Sequence, residues 1–94
     1  MNDLNGYETV QAVIASDASK TFKGRFVKLV ALIDSTLATV SSDQIQQNGG
    51  SIGSATSVAL NKGCVIEGIV IDEFKVGATS AVLAYSARTN ITVS

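Results

Sequence analysis

Four groups of side chains in this chain are of types that can do chemistry. Asp17, Asp34, Asp43, Asp72 and Glu73 carry the clustered oxygens that a Ca²⁺ ion takes. Lys20, Lys23, Arg25 and Lys28 form a basic stretch with Phe22 and Phe26 between them, the mixture of charge and ring faces that grips single-stranded nucleic acid in OB-type barrels. Gly49-Gly50-Ser51-Ile52-Gly53-Ser54 is rich in glycine, as phosphate-cradling loops are, and Cys64 is the single thiol. Each group lacks what its chemistry needs. The carboxylates do not have the spacing of a calcium-binding helix-loop-helix, and the glycine run lacks the Gly-Lys-Ser/Thr ending of a phosphate loop. A cysteine nucleophile needs an activating base, and the chain has no histidine. A Ser/His/Asp triad, a Cys/His dyad and any histidine-ligated metal are excluded for the same reason. The expectation is a protein that is not an enzyme, with no catalytic residues, no metal and no cofactor. The formal net charge of -1 disfavours general attraction to phosphate, and Phe26 sits in an apolar run that suits a core better than a stacking platform.

The elements that carry these residues follow from the hydrophobic pattern. The chain has 94 residues, 46% of them hydrophobic and only 16% charged, with no proline and no tryptophan. That length is one domain with a thin core. Val, Ile and Thr are abundant, and β-branched residues fit a pleated surface better than a helix. Residues 1–6 read as a flexible N-terminal arm. Tyr7 to Ala15 reads as a strand in preference to a partial helical pattern of Val10, Val13 and Ile14. Ser16 to Thr21 is a polar turn and Lys23-Gly24 a further break. Arg25 to Ile33 is the clearest buried strand. Strict alternation puts Val27, Leu29, Ala31 and Ile33 on one face, with Phe26, Lys28, Val30 and Leu32 on the other. Both faces are mostly apolar, so the strand is covered on both sides or by a partner subunit on one.

Asp34-Ser35 reads as a tight turn into a strand at Leu37–Val40, which predicts an antiparallel hairpin with the preceding strand. Residues 41–54 read as a mobile loop because Ser, Gln, Asn and Gly dominate them, with Ile45 and Ile52 isolated. Ser57–Leu60 is a short strand, Asn61-Lys62-Gly63 a turn, and Cys64–Phe74 a long strand. In that strand Ile66, Val70 and Phe74 share a face with Gly68 and Asp72, opposite Val65, Ile69, Ile71, Glu67 and Glu73. Gly68 marks a bulge or a close backbone approach, and Cys64 reads as a small buried hydrophobe. Lys75–Thr79 turns the chain into a last core strand, Ser80–Ala87. The folded domain is expected over 7–88, with a tail at 89–94 that can pair as an edge strand. Lys23–Lys28 and Lys62–Glu67 echo one another weakly, which sets Lys28 opposite Glu67 as a cross-strand pair; a contact between subunits is the other reading of both.

The expected fold is all-β: a single small antiparallel sandwich or barrel-like, jelly-roll-like domain. Strands apolar on both faces offer more dry surface than one thin core uses, and the surplus is suited to copies or partners. Tyr7, Phe26, Lys28, Ile45, Ile52, Glu67 and Tyr85 are the candidate contact residues. No basic region precedes an apolar stretch at the N-terminus, and no apolar run approaches the ~20 residues that span a bilayer. Synthesis in the cytoplasm without a membrane partner is therefore expected.

Three segments carry a family likeness: Val30-Ala31-Leu32-Ile33-Asp34-Ser35-Thr36 with Ala38-Thr39; Leu60-Asn61-Lys62-Gly63-Cys64-Val65-Ile66-Glu67-Gly68; and Val82-Leu83-Ala84-Tyr85. Over about two-thirds of its length, from Val27 to Ala87, the chain resembles the small β-rich structural proteins of tailed bacteriophages. The likeness implies a virion protein of the capsid decoration (cement) type on the capsid surface. A tail or spike-base adaptor is the alternative, and a small OB-like module for single-stranded nucleic acid is the alternative of another class. It also implies a symmetric oligomer such as a trimer. The partners would be other copies of the chain and the major capsid protein or another virion protein. It brings no catalytic residue.

Overall fold

The computed structural model describes residues 9–50, 52–87 and 90–94. The N-terminal arm and Tyr7 lie outside them. Among the described residues seven strands form: β1 (Thr9–Ala15), β2 (Phe22–Ala31), β3 (Ser35–Gln46), β4 (Ile52–Leu60), β5 (Val65–Val76), β6 (Val82–Ala87) and β7 (Thr92–Val93). The domain is all-β, as the composition requires. Its strands make one antiparallel sheet in the order β1-β6-β2-β5-β3-β4, with β7 beside the start of β2. Because every neighbour is antiparallel, β1, β2 and β3 run the same way, and β5 and β6 return through the gaps between them.

The hairpin expected between β2 and β3 does not form. The two are not neighbours; β5 lies between them. Three residues, Leu32-Ile33-Asp34, join strands that run in the same direction, so the chain steps across the end of the fold instead of turning back beside itself. This demands a strong curl. Twelve residues at about 3.3 Å each would make β3 or β5 about 40 Å long, more than the 38 Å longest dimension of the molecule. Ala31 bonds to the turn before β5, and Thr36 accepts from Gly77 after it. The five steps from Ala31 to Thr36 reach at most about 18 Å, so β5 must bend and the sheet rolls around its core.

The curl breaks the pleat at defined places. Gly68, at φ 90°, lies where β5 carries extra residues against β2, between the pairs Phe26↔Ile71 and Lys28↔Glu67. This is the bulge expected at that glycine. β2 also carries an extra residue, Val27, between the pairs Phe26↔Ser86 and Lys28↔Tyr85 with β6, and together these irregularities correct the strict alternation read for both strands. Phe26 falls on the same buried side as Leu29 and Ala31 instead of beside Lys28 and Val30, and Ile71 joins Phe74 inside while Val70 is half-buried. All three phenylalanines are then in the core. Phe22 stacks on Phe74 at 5.4 Å, and Phe26 meets Phe74 edge-on at 5.0 Å, the two arrangements that ring quadrupoles favour. Lys23-Gly24 is not a break; β2 runs through it. Gly24 is needed for space, because a Cβ there would stand 3.1 Å from Ser86 Oγ and 3.3 Å from the Phe26 ring.

The segment read as a loop, residues 41–54, is mostly paired. β3 continues to Gln46 and β4 begins at Ile52, so only the hairpin tip is left between them. Asn48 and Gly49 carry positive φ at this tip, the turn chemistry those residues supply. The polar side chains bond to backbone. Ser42 Oγ donates to Val70 O at 2.5 Å, Val70 N donates to Gln44 Oε1 at 2.7 Å, and the Gln47 amide bonds both to Thr56 O at 3.0 Å and to Thr56 N at 3.2 Å. Thr56 belongs to the edge strand β4, so Gln47 occupies backbone groups that could template a foreign strand. Two buried serines close the roll where β3 and β6 begin. Ala81 N donates to Ser35 Oγ at 3.1 Å and Thr36 N donates to Ser80 Oγ at 3.1 Å. The C-terminal tail pairs as expected: β7 lies against Phe22 and Lys23, and Thr21 and Ser94 exchange backbone bonds of 2.7 and 3.0 Å.

Ser35→Ala and Ser80→Ala each leave an amide of the closing seam unpaired, and each is expected to lower stability by about 1–3 kcal/mol. Because the two serines share one seam, the double variant should lose less or more than the sum. Urea unfolding followed by circular dichroism checks both. Gly24→Ala overpacks the Phe26–Ser86 contact and should cost about 1–3 kcal/mol, read as a lower thermal midpoint.

Candidate assembly surface

The residues with catalytic or ligand-binding types are used locally. Asp17 Oδ1 accepts from Ser19 N at 2.9 Å and from Ser19 Oγ at 2.6 Å, which fixes the turn between β1 and β2. The Ser19 hydroxyl, with its backbone amide and then nearby Lys20, holds the Asp17 carboxyl below the ordinary aspartate range. Asp34 Oδ1 accepts from Lys62 N at 2.8 Å and ties the β2–β3 link to the Asn61–Gly63 turn. Among the described residues no three His, Cys, Asp or Glu side chains converge as metal ligands. Cys64 is exposed, contrary to the buried position expected from its strand. It sits before β5 begins, in the turn where Cys64 N bonds to Asn61 O at 2.9 Å. Phe22 and Phe26 are buried at 4% and 0% exposure. They offer no ring face to a base beside Lys20, Lys23, Arg25 and Lys28, so the nucleic-acid reading loses its stacking platform. Among the described residues no helix is long and apolar enough to cross a membrane.

A shallow groove of about 430 Å³ runs between β1 and the C-terminal tail, lined by Gln11, Ala12, Val13, Ile91 and Val93. Its polar side chain is already engaged, for Ile91 N donates to Gln11 Oε1 at 2.5 Å.

The sheet brings three of the candidate contact residues together. Ala12 pairs with Tyr85, Tyr85 with Lys28, and Lys28 with Glu67, in one row across β1, β6, β2 and β5. The Lys28–Glu67 register matches the cross-strand pair read from the sequence. Lys28 Nζ lies 5.8 Å from the centroid of the Tyr85 ring, within the range of a cation–π contact. Two residues along each strand, a second row runs Ile14, Leu83, Val30 and Val65. All four point away from the core, because their neighbours Ala15, Val82, Ala84, Leu29 and Ala31 fill it. Ile14 is 60% exposed and Val65 45% exposed at the two ends of the row, Leu83 and Val30 between them are half-buried, and Leu32 just beyond Val30 is 37% exposed. The outside of this half of the sheet is therefore an apolar bar four strands wide, edged by one cation, one anion and a tyrosine.

The other candidates lie elsewhere. Phe26 is a core residue and is withdrawn as a surface contact. Ile45 is half-buried and packs against the core, whereas Ile52 stands 67% exposed near the β3–β4 tip. Ile14, Leu83, Val30 and Val65 were not singled out from sequence. The signal for Val30 was present, in a strand apolar on both faces, but the cross-strand row exists only once β5 and β6 flank β2. Comparison with protein-family models, with curated proteins and with solved structures finds no match to this chain.

Asp17 gives a pH test of its turn. A depressed folded-state pKa stabilises the fold above the unfolded value and loses that contribution as pH falls through the folded one. The Asp17 carboxyl should therefore titrate below the ordinary aspartate midpoint in a carbon-detected NMR titration, and Ser19→Ala should move it back up.

Proposed function

We propose that this chain is a virion structural protein of the capsid decoration type, which seats on the outside of a tailed-bacteriophage head and reinforces it through non-covalent contacts. The observation that carries the reading is the apolar bar of Ile14, Leu83, Val30 and Val65, set outward on four adjacent strands. A monomer gains nothing from leaving such a row in water, whereas an assembly gains about 25 cal/mol for every Å² of it that is covered. The resemblance of residues 27–87 to small phage structural proteins supports the same role. So does a surface whose acids and amides serve turns and ladders. The mechanism is added buried area at subunit junctions, with the major capsid protein or another virion protein as partner. It requires no bond to be made or broken, no cofactor and no catalytic residue.

Shells purified without this protein test the reading. Added protein should co-sediment with them, saturate at a fixed ratio to the major capsid protein, and raise the temperature at which they rupture. Mass spectrometry of separated heads and tails should find it in the heads. Finding it only in tails would favour an adaptor at the tail or spike base, and absence from purified particles would defeat the virion reading.

A further inference from the structure

We infer that the outward face of β2 and the first half of β5 pairs with the same face of a second copy of this chain about a two-fold axis. The inference rests on the assembly reading above and adds the partner and the symmetry. The charges on the face argue for this occupant. Lys28 and Glu67 stand side by side on β2 and β5, one positive and one negative, directly beside Val30 and Val65. An axis running along the strands between β2 and β5 sets Lys28 across from the partner's Glu67, and Glu67 across from the partner's Lys28. The same rotation lays Val30 over the partner's Val65. Apolar side chains then meet apolar ones and opposite charges meet, the self-complementarity that an isologous contact requires. A partner of uniform charge would oppose one of the two.

Sheets stacked in this way lie about 10 Å apart, with their outward side chains interdigitated. Two strands at about 4.8 Å spacing make a contact about 10 Å wide, and a strip of that width over a few residues of each strand covers far less than the ~800 Å² per partner typical of a stable interface. The pairing is therefore weak in dilute solution and takes effect at the high local concentration of a particle surface.

Sedimentation equilibrium of the full chain from 10 μM to 1 mM should show a reversible monomer–dimer equilibrium whose dimer fraction rises across that range. V65K should weaken it by about tenfold or more, by placing an ammonium in the apolar bar. K28E and E67K should each weaken it to a similar degree. An equimolar mixture of K28E and E67K should associate again as a heterodimer, which a role confined to one chain cannot produce. Thermal melts of each variant guard against unfolding. A wild-type chain that stays monomeric at 1 mM overturns the inference, as does a dimer indifferent to V65K or a mixture that fails to associate. A monomer that still saturates shells defeats the pairing and leaves the virion reading standing. A dimer that binds no shell does the reverse.

Discussion

A backbone amide or carbonyl that leaves its ladder inside the protein must find another partner or cost about 1–3 kcal/mol. This constraint governs the architecture, because the long strands cannot stay straight. β3 and β5 would outrun the molecule if extended, so each curls, and each curl interrupts pairing. The interruptions are filled by short polar side chains. Ser35 and Ser80 close the seam between β3 and β6, Ser42 and Gln44 bridge β3 to Val70, and Ser86 Oγ accepts from Arg25 N at 3.2 Å beside the shift in β2. Much of the serine and glutamine content is thus structural, and it lets a chain with few charges keep its buried polar groups satisfied.

The same curl decides what the outer surface offers. Where β2 carries the extra residue Val27 against β6, its side-chain parity changes. Phe26 turns inward to join Phe22 and Phe74, while Lys28 and Val30 remain outward. Without that change the largest ring of the strand would lie on the surface beside Val30. The core would lose one of its three aromatic members and the surface would become wholly apolar. The outcome is a tight interior and an exterior bar that is apolar in one row and polar in the next. That division is what the proposed assembly role would draw on.

Several elements were legible in the residues themselves. The strands around Val10, Leu29, Ile69 and Leu83, the turns at Asp17 and Asn61, the bulge at Gly68 and the paired tail all follow from local periodicity and turn chemistry. Other features were not. The β2–β3 hairpin seemed required by a three-residue link, but β5 inserts between the strands, and no local signal reports an inserted strand. Residues 41–54 looked like a loop because the side chains that repair a curled ladder are the same small polar ones that fill loops. Cys64 looked buried beside Val65 and Ile66, yet the chain is still turning there.

The candidate surface divides in the same way. By itself the sequence determined an all-β domain with surplus apolar strand faces, and it removed histidine-based chemistry altogether. It also nominated Lys28, Glu67 and Tyr85, since a charge or a phenol inside an apolar strand has to face water or a partner. Only the tertiary structure placed these three in one row and set Ile14, Leu83, Val30 and Val65 beside them. Alternation along a strand is local and can be read in sequence. Register, bulges and strand order depend on pairings between distant segments, and those settle only when the whole core is packed.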